Sequence, residues 1–185
     1  GAFRLLSAIF SDTAGSNELR LVLKQDGAEP LLSLLQSSKA EAVSLGVRLL
    51  DLLASTKIPR ELCHSAELQG MLWRVATRWG ESRQFSHALH ALRVMEGVCL
   101  RPDVDCVTQG AQVQCLLRFM APDPGADPFS SGEHQACCIT AASVLQLSLE
   151  VGSAAKTLFA EFGGVTSVFE YMRTFLSLAP VGSGG

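Results

Sequence analysis

Apolar residues recur at helical spacing along almost the whole chain. In "AVSLGVRLLDLLA" (42–54) the pattern places Val43, Gly46, Val47, Leu50 and Leu53 on one face, and "SHALHALRVMEGVCL" (86–100) does the same with Leu89, Leu92, Met95 and Val98. No stretch alternates apolar and polar residues with β-branched enrichment, so no strands are expected. Ser38 with Glu41, and Ser130 with Glu133, have capping-box spacing, in which a hydroxyl and a carboxylate satisfy free amides at a helix start. Pro59, Pro102, Pro122, Pro124 and Pro128 fall between the periodic segments, where helices stop or begin. "APDPGADPFSSG" (121–132), rich in Pro, Asp and Gly, reads as a surface loop.

The periodic segments repeat. "FRLLSAIFS" (3–11) resembles "VRLLDLLAS" (47–55) at an offset of 44, "LRVMEGVCL" (92–100) follows at 45, and "LQLSLEVGS" (145–153) at 53, after the Pro-rich insertion. A second series advances in step: "LKQDGAEPLLSLL", "CHSAELQGMLWRV", "VTQGAQVQCLLRF" and "AEFGGVTSVFEYM". Each is expected to hold a short helix, a small-residue break, then a medium helix. The architecture read from this is all-α, with three helices per unit stacked to bury one continuous core. Gly27, Gly110 and Gly163 are expected to permit the turn between first and second helices, since they lack a β-carbon; Ser65-Ala66 stands at that break in the second unit.

A period near 44 with Gly27-Ala28, Pro30 and Leu31, Gly110-Ala111 and Gly163-Gly164, and long helices ending in "RLLDLLA" and "RVMEGVC", resembles the armadillo repeat. HEAT repeats share part of the pattern. The resemblance runs from residue 2 to about 178. It implies a right-handed α-solenoid of about three to four repeats in one domain over 1–180. The opening residues enter mid-pattern, as expected of a fragment of a longer protein, and 181–185, "VGSGG", reads as a linker.

Composition narrows the function. Hydrophobic residues make up 48% and the net charge is −3, the balance of a folded soluble domain. A pI near 5.8, with 15 basic against 18 acidic residues, argues against nucleic acid. No run approaches the 18 apolar residues needed to span a membrane, and the N-terminus lacks a signal peptide's basic and apolar regions. Cys63, Cys99, Cys106, Cys115, Cys137 and Cys138 lie mostly in apolar helical patterns, as reduced, buried thiols of a cytoplasmic or nuclear protein would.

Candidate chemistry is sparse. The chain holds no Walker loop, dinucleotide fingerprint, nucleophile elbow or HExxH, and no cofactor is expected. His134 with Cys138, and Cys63-His64, have zinc-ligand residue types, but no CxxC pair accompanies them. His87 and His90, three apart, can share a helix face, a surface or groove position. Trp73 reads as core, whereas Trp79, at a helix end, is a candidate exposed contact.

The stronger signal is a repeat-equivalent column: Arg4, Arg48, Arg93 and Gln146, followed three residues later by Ser7, Asp51, Glu96 and Leu149, with His90 one turn before Arg93. The armadillo resemblance implies that this column faces a concave groove lined by third helices. Arginine forks there suit carboxylates or peptide carbonyls. The other reading pairs Arg48 with Asp51 and Arg93 with Glu96 on wet helix faces. Importin-α and the catenins hold extended peptides with a ladder of asparagines, and this chain has only Asn17, outside the column. The expected partner is therefore a helix, an acidic segment or a folded surface rather than a classical nuclear signal. The expected function is a non-catalytic protein-interaction scaffold, with self-association through the ends, as a homodimer, the alternative.

Overall fold

A computed structural model of the chain describes Leu21 and residues 29–54, 58–121 and 132–178, with side chains as far as 173. Nine helices and no strand stand among the described residues: α1 (Glu29–Gln36), α2 (Ala40–Ala54), α3 (Arg60–Cys63), α4 (Ala66–Glu81), α5 (Phe85–Cys99), α6 (Gly110–Met120), α7 (Gly132–Val151), α8 (Ser153–Glu161) and α9 (Gly164–Leu178). The protein is all-α, as its periodicity predicts. No helix among the described residues is long and apolar enough to cross a membrane.

Local chemistry fixes the helix ends. The Ser65 hydroxyl accepts from the Leu68 amide at 3.2 Å and caps α4. At α6 the Gln112 side-chain oxygen reaches back to the amides of Thr108 and Gln109, at 2.7 and 2.9 Å. The first carbonyl of α2 is that of Lys39, and Ser37 rather than Ser38 supplies the local hydroxyl acceptor, to the Lys39 amide at 3.2 Å. Ser130 of the second expected capping box lies outside the described residues, as do Gly27 and most of the 121–132 insertion.

Helix α4 ends in a paired-amide motif. Gln84 N–H donates to the Trp79 carbonyl at 2.8 Å and Arg83 N–H to that of Gly80 at 3.1 Å. The motif puts Arg83 at φ 56°, a position where glycine is usual. After α8 the equivalent position is filled by Gly163 at φ 73°, so the expected glycine turn is present there. Gly110 serves a different purpose from the one its motif suggested. It begins α6, and a β-carbon on it would strike the Phe162 ring, so its smallness admits a close approach.

The short first helix expected before Gly110 does not form. Residues 104–108 run irregularly, with Val104, Cys106 and Val107 buried. Pro102 and the β-branched valines disfavour a helical turn here. Trp73 instead donates its indole N–H to the Cys106 carbonyl at 3.0 Å, and Arg60 holds Asp103 at 2.7 Å.

Contacts advance along the chain in two rows. Helix α5 packs against both α2 and α7, while α4 meets α1 and α6, and α6 meets α9. The apolar faces read from the sequence supply the filling. Val47, Leu50, Leu53, Leu92, Met95 and Val98 are buried, joined by Leu68, Leu72 and Leu116 in one cluster reaching from Leu31 to Ala155. Thr140 and Ser148, the two buried polar side chains among the described residues, donate to the carbonyls of Ala136 and Val144 at 2.9 and 2.8 Å, so neither hydroxyl is left unsatisfied.

The last helix docks partly through a sulfur. Cys138 of α7 donates its thiol to the Tyr171 hydroxyl at 3.2 Å. The adjacent Cys138 sulfur, with partial burial, pushes the phenol up to about 12. Tyr171 is the chain's single tyrosine, so absorbance at high pH reports it alone. Its titration midpoint is expected near 12 in the folded chain and to fall toward the ordinary value of about 10 in Cys138→Ala. The unfolded phenol loses its proton first, so this group's stabilising contribution is present below about pH 10 and lost as pH rises toward 12. An unshifted midpoint in the native chain would show that α9 does not dock on α7 this way.

Candidate functional site

Helices α2, α5 and α7, the long third helices of the sequence pattern, lie side by side, and the repeat-equivalent column falls on them. Arg4 and Ser7 lie outside the described residues. Arg48 is exposed on α2, Arg93 on α5 and Gln146 on α7, while Glu96 and Leu149 are half-buried. One row of side chains therefore crosses three adjacent helices.

Asp51 organises the middle of this row. Its carboxylate is mostly covered, at 16% exposure, and accepts from His90 Nδ1 at 2.6 Å. An ionised carboxylate can only accept, so the bond places the imidazole proton on Nδ1 and turns Nε2 away from Asp51. Arg93 approaches the same Asp51 oxygen at 3.8 Å. Both contacts run from α2 to α5, and neither within-helix pair, Arg48 with Asp51 or Arg93 with Glu96, is formed. Helical spacing makes those pairs possible, but the α2–α5 packing brings His90 and Arg93 to Asp51 instead. Arg48 makes no ion pair among the described residues.

This bridge carries a stability prediction. Asp51→Ala removes a charge-assisted hydrogen bond at a mostly covered site, and is expected to cost about 1–2 kcal/mol in urea unfolding without changing the slope. Asp51→Asn keeps an acceptor and is expected to lose less. Equal losses in both variants would show that the bridge acts only as packing.

Residue Ile139 belongs to this surface and escaped the sequence reading. It is 63% exposed, two helical turns before Gln146 on the same side of α7. A search along polar positions passes over it; stepping back seven residues from Gln146 finds it. Gln146 donates to Glu150 at 2.9 Å, extending the polar end of the row. The surface thus combines outward arginines on α2 and α5 with an exposed aliphatic side chain on α7.

The other candidates separate. Trp79, expected as an exposed contact, is buried at 5% exposure, and its ring packs against His87 at a centroid distance of 5.1 Å. Its place near the helix end does not free it, because α5 folds back over that end. His87 and His90 accordingly face different neighbours. His134 stacks on Phe85 at 4.4 Å while Cys138 bonds Tyr171, so the two potential zinc ligands are committed to separate contacts. His64 lies 3.2 Å from Asp103, whereas the neighbouring Cys63 thiol reaches for the Ile58 carbonyl at 3.9 Å. No group of three or more metal-ligating side chains converges among the described residues.

The six cysteines are free thiols, and all but Cys138 are buried. Burial raises Cys63 and Cys115 and pushes Cys137 up to about 12; the adjacent Cys99 sulfur, with burial, raises Cys106. These four stay protonated at neutral pH and make poor nucleophiles. A cleft of about 300 Å³ between α6 and α9 is lined by Leu117, Met120, Ser167, Val168, Glu170 and Tyr171 among others.

No family model, no curated protein and no solved structure matches the chain.

Proposed function

We propose that this chain is a non-catalytic protein-interaction module, a right-handed solenoid of three to four armadillo-like repeats whose third-helix row takes up a segment of a partner protein. The stepwise contacts α2–α5–α7 and α1–α4–α6–α9 support the stacked-repeat reading, since each unit meets its neighbours in order. The observation that carries the binding reading is the Asp51–His90–Arg93 bridge. It fixes the middle of the row while Arg48 is left outward without an ion pair among the described residues. Arginine forks on α2 and α5, with the exposed Ile139 on α7, suit a segment with both carboxylates and apolar side chains, an acidic helix in particular. The free, largely buried thiols fit a reducing compartment, cytoplasmic or nuclear.

Affinity capture from a cell extract tests this, with the chain beside its Arg48→Glu/Arg93→Glu variant. Partners held by the native chain and lost from the folded variant support the row as the binding surface; identical partner sets contradict it.

A second reading, homodimerisation through the C-terminal end, rests on Phe162, Val165, Phe169 and Met172, exposed within eleven residues, with Phe169 at 68%. A mass that rises with concentration and falls to that of a monomer in Phe169→Glu would favour it.

A further inference from the structure

The outward face of α4 breaks two local rules in one row. Arg74 and Arg78 stand one turn apart, both exposed, and neither has an ion pair among the described residues. Like charges at this spacing repel and weaken a helix. Gly70, one turn before Arg74, is exposed too, and a β-carbon on it would meet no atom within 4 Å. Glycine in a helix interior is unfavourable relative to alanine, and here no packing requires it.

The acids that bracket the row are occupied elsewhere. Glu67 accepts from Gln36 of α1 at 2.7 Å, and Glu81 binds Arg118 of α6 at 2.8 Å. Among the described residues the two arginines between them are thus left without a carboxylate. Beneath them the helix is firmly seated, with Leu68, Leu72, Trp73, Ala76 and Trp79 buried. Unfavourable choices kept on a rigid, exposed face mark a place where another molecule supplies what the fold does not.

We propose that this α4 face is a second docking surface, distinct from the third-helix row, for an acidic segment of a protein partner. Two arginine forks one turn apart match two carboxylates, and Gly70 lets the partner's backbone approach α4 closely. The charge count favours a peptide over a polyanion surface. Nucleic acid or anionic lipid is held by larger basic clusters, and this chain carries a net −3.

Fluorescence anisotropy with a labelled decaglutamate peptide at low salt tests the assignment. The intact chain is expected to bind it, and Arg74→Gln/Arg78→Gln to weaken binding at least tenfold. Gly70→Ala is expected to raise the melting temperature yet weaken binding about threefold, a combination that a merely structural glycine does not produce. Lys156→Gln, exposed on α8, controls for loss of one positive charge and should change affinity less than twofold. The proposal is overturned if the chain fails to bind the peptide, if the α4 variants bind as tightly as the parent, or if binding is lost in Arg48→Glu/Arg93→Glu and retained in the α4 double variant. Arginine-dependent binding of phosphatidylserine vesicles or single-stranded RNA without binding of the peptide overturns it equally.

Discussion

Replacing Leu92 with alanine is expected to lower the free energy of unfolding by about 2–5 kcal/mol. The side chain is 0% exposed and sits on α5, the helix that touches α2, α4 and α7 at once. Truncation removes apolar area already withdrawn from water and leaves a cavity that three neighbouring helices limit in its collapse. At roughly 2–4 °C per kcal/mol for a chain of this size, the melting temperature should fall by several degrees. Circular dichroism during urea unfolding checks the free energy, and the transition should stay single because α5 links both rows. A loss below about 1 kcal/mol would mean that α5 does not occupy the centre of the core.

Reversing Arg48 and Arg93 together is expected to abolish capture of a third-helix partner while leaving the fold almost unchanged. Both side chains are exposed, Arg48 has no ion pair among the described residues, and Arg93 reaches Asp51 only at 3.8 Å. Asp51 keeps its bond to His90 but would face a glutamate at 93, so stability is expected to fall by about 1–2 kcal/mol without loss of the fold. For an acidic partner the reversal replaces two attractions with two repulsions, so a loss of at least about 2 kcal/mol is expected, roughly thirtyfold in Kd. Isothermal titration with the captured partner measures the second quantity and thermal melting the first. A variant that binds normally would remove the column from the binding surface.

The buried faces were the most legible feature of the sequence because one physical signal, apolar residues at helical period, sets them. Val43, Val47, Leu50 and Leu53 on α2, and Leu92, Met95 and Val98 on α5, are buried as their spacing predicts. Similarity to the other units suggests a short helix before Gly110, but the local effect of Pro102 and the valines outweighs it. Trp79 was misplaced because the end of a helix in sequence is not its end in solvent once α5 folds back.

Which polar side chains meet was the least legible. Arg48 with Asp51, at helical spacing, is the pair a sequence offers; Asp51 with His90 depends on how α2 and α5 are set against each other, and no local pattern encodes that. Ile139 was missed for a related reason. Helix α7 is apolar on more than one side, so its exposed isoleucine does not stand out from its core.

A partner is proposed to sit on the third-helix row, and arginine-selective labelling with phenylglyoxal, quantified site by site, tests that placement. With the captured partner bound, Arg48 and Arg93 should lose most of their reactivity, while Arg60, exposed on α3, keeps its own. Unchanged labelling of Arg48 and Arg93 in the bound state would contradict the claim and move the interface elsewhere on the molecule.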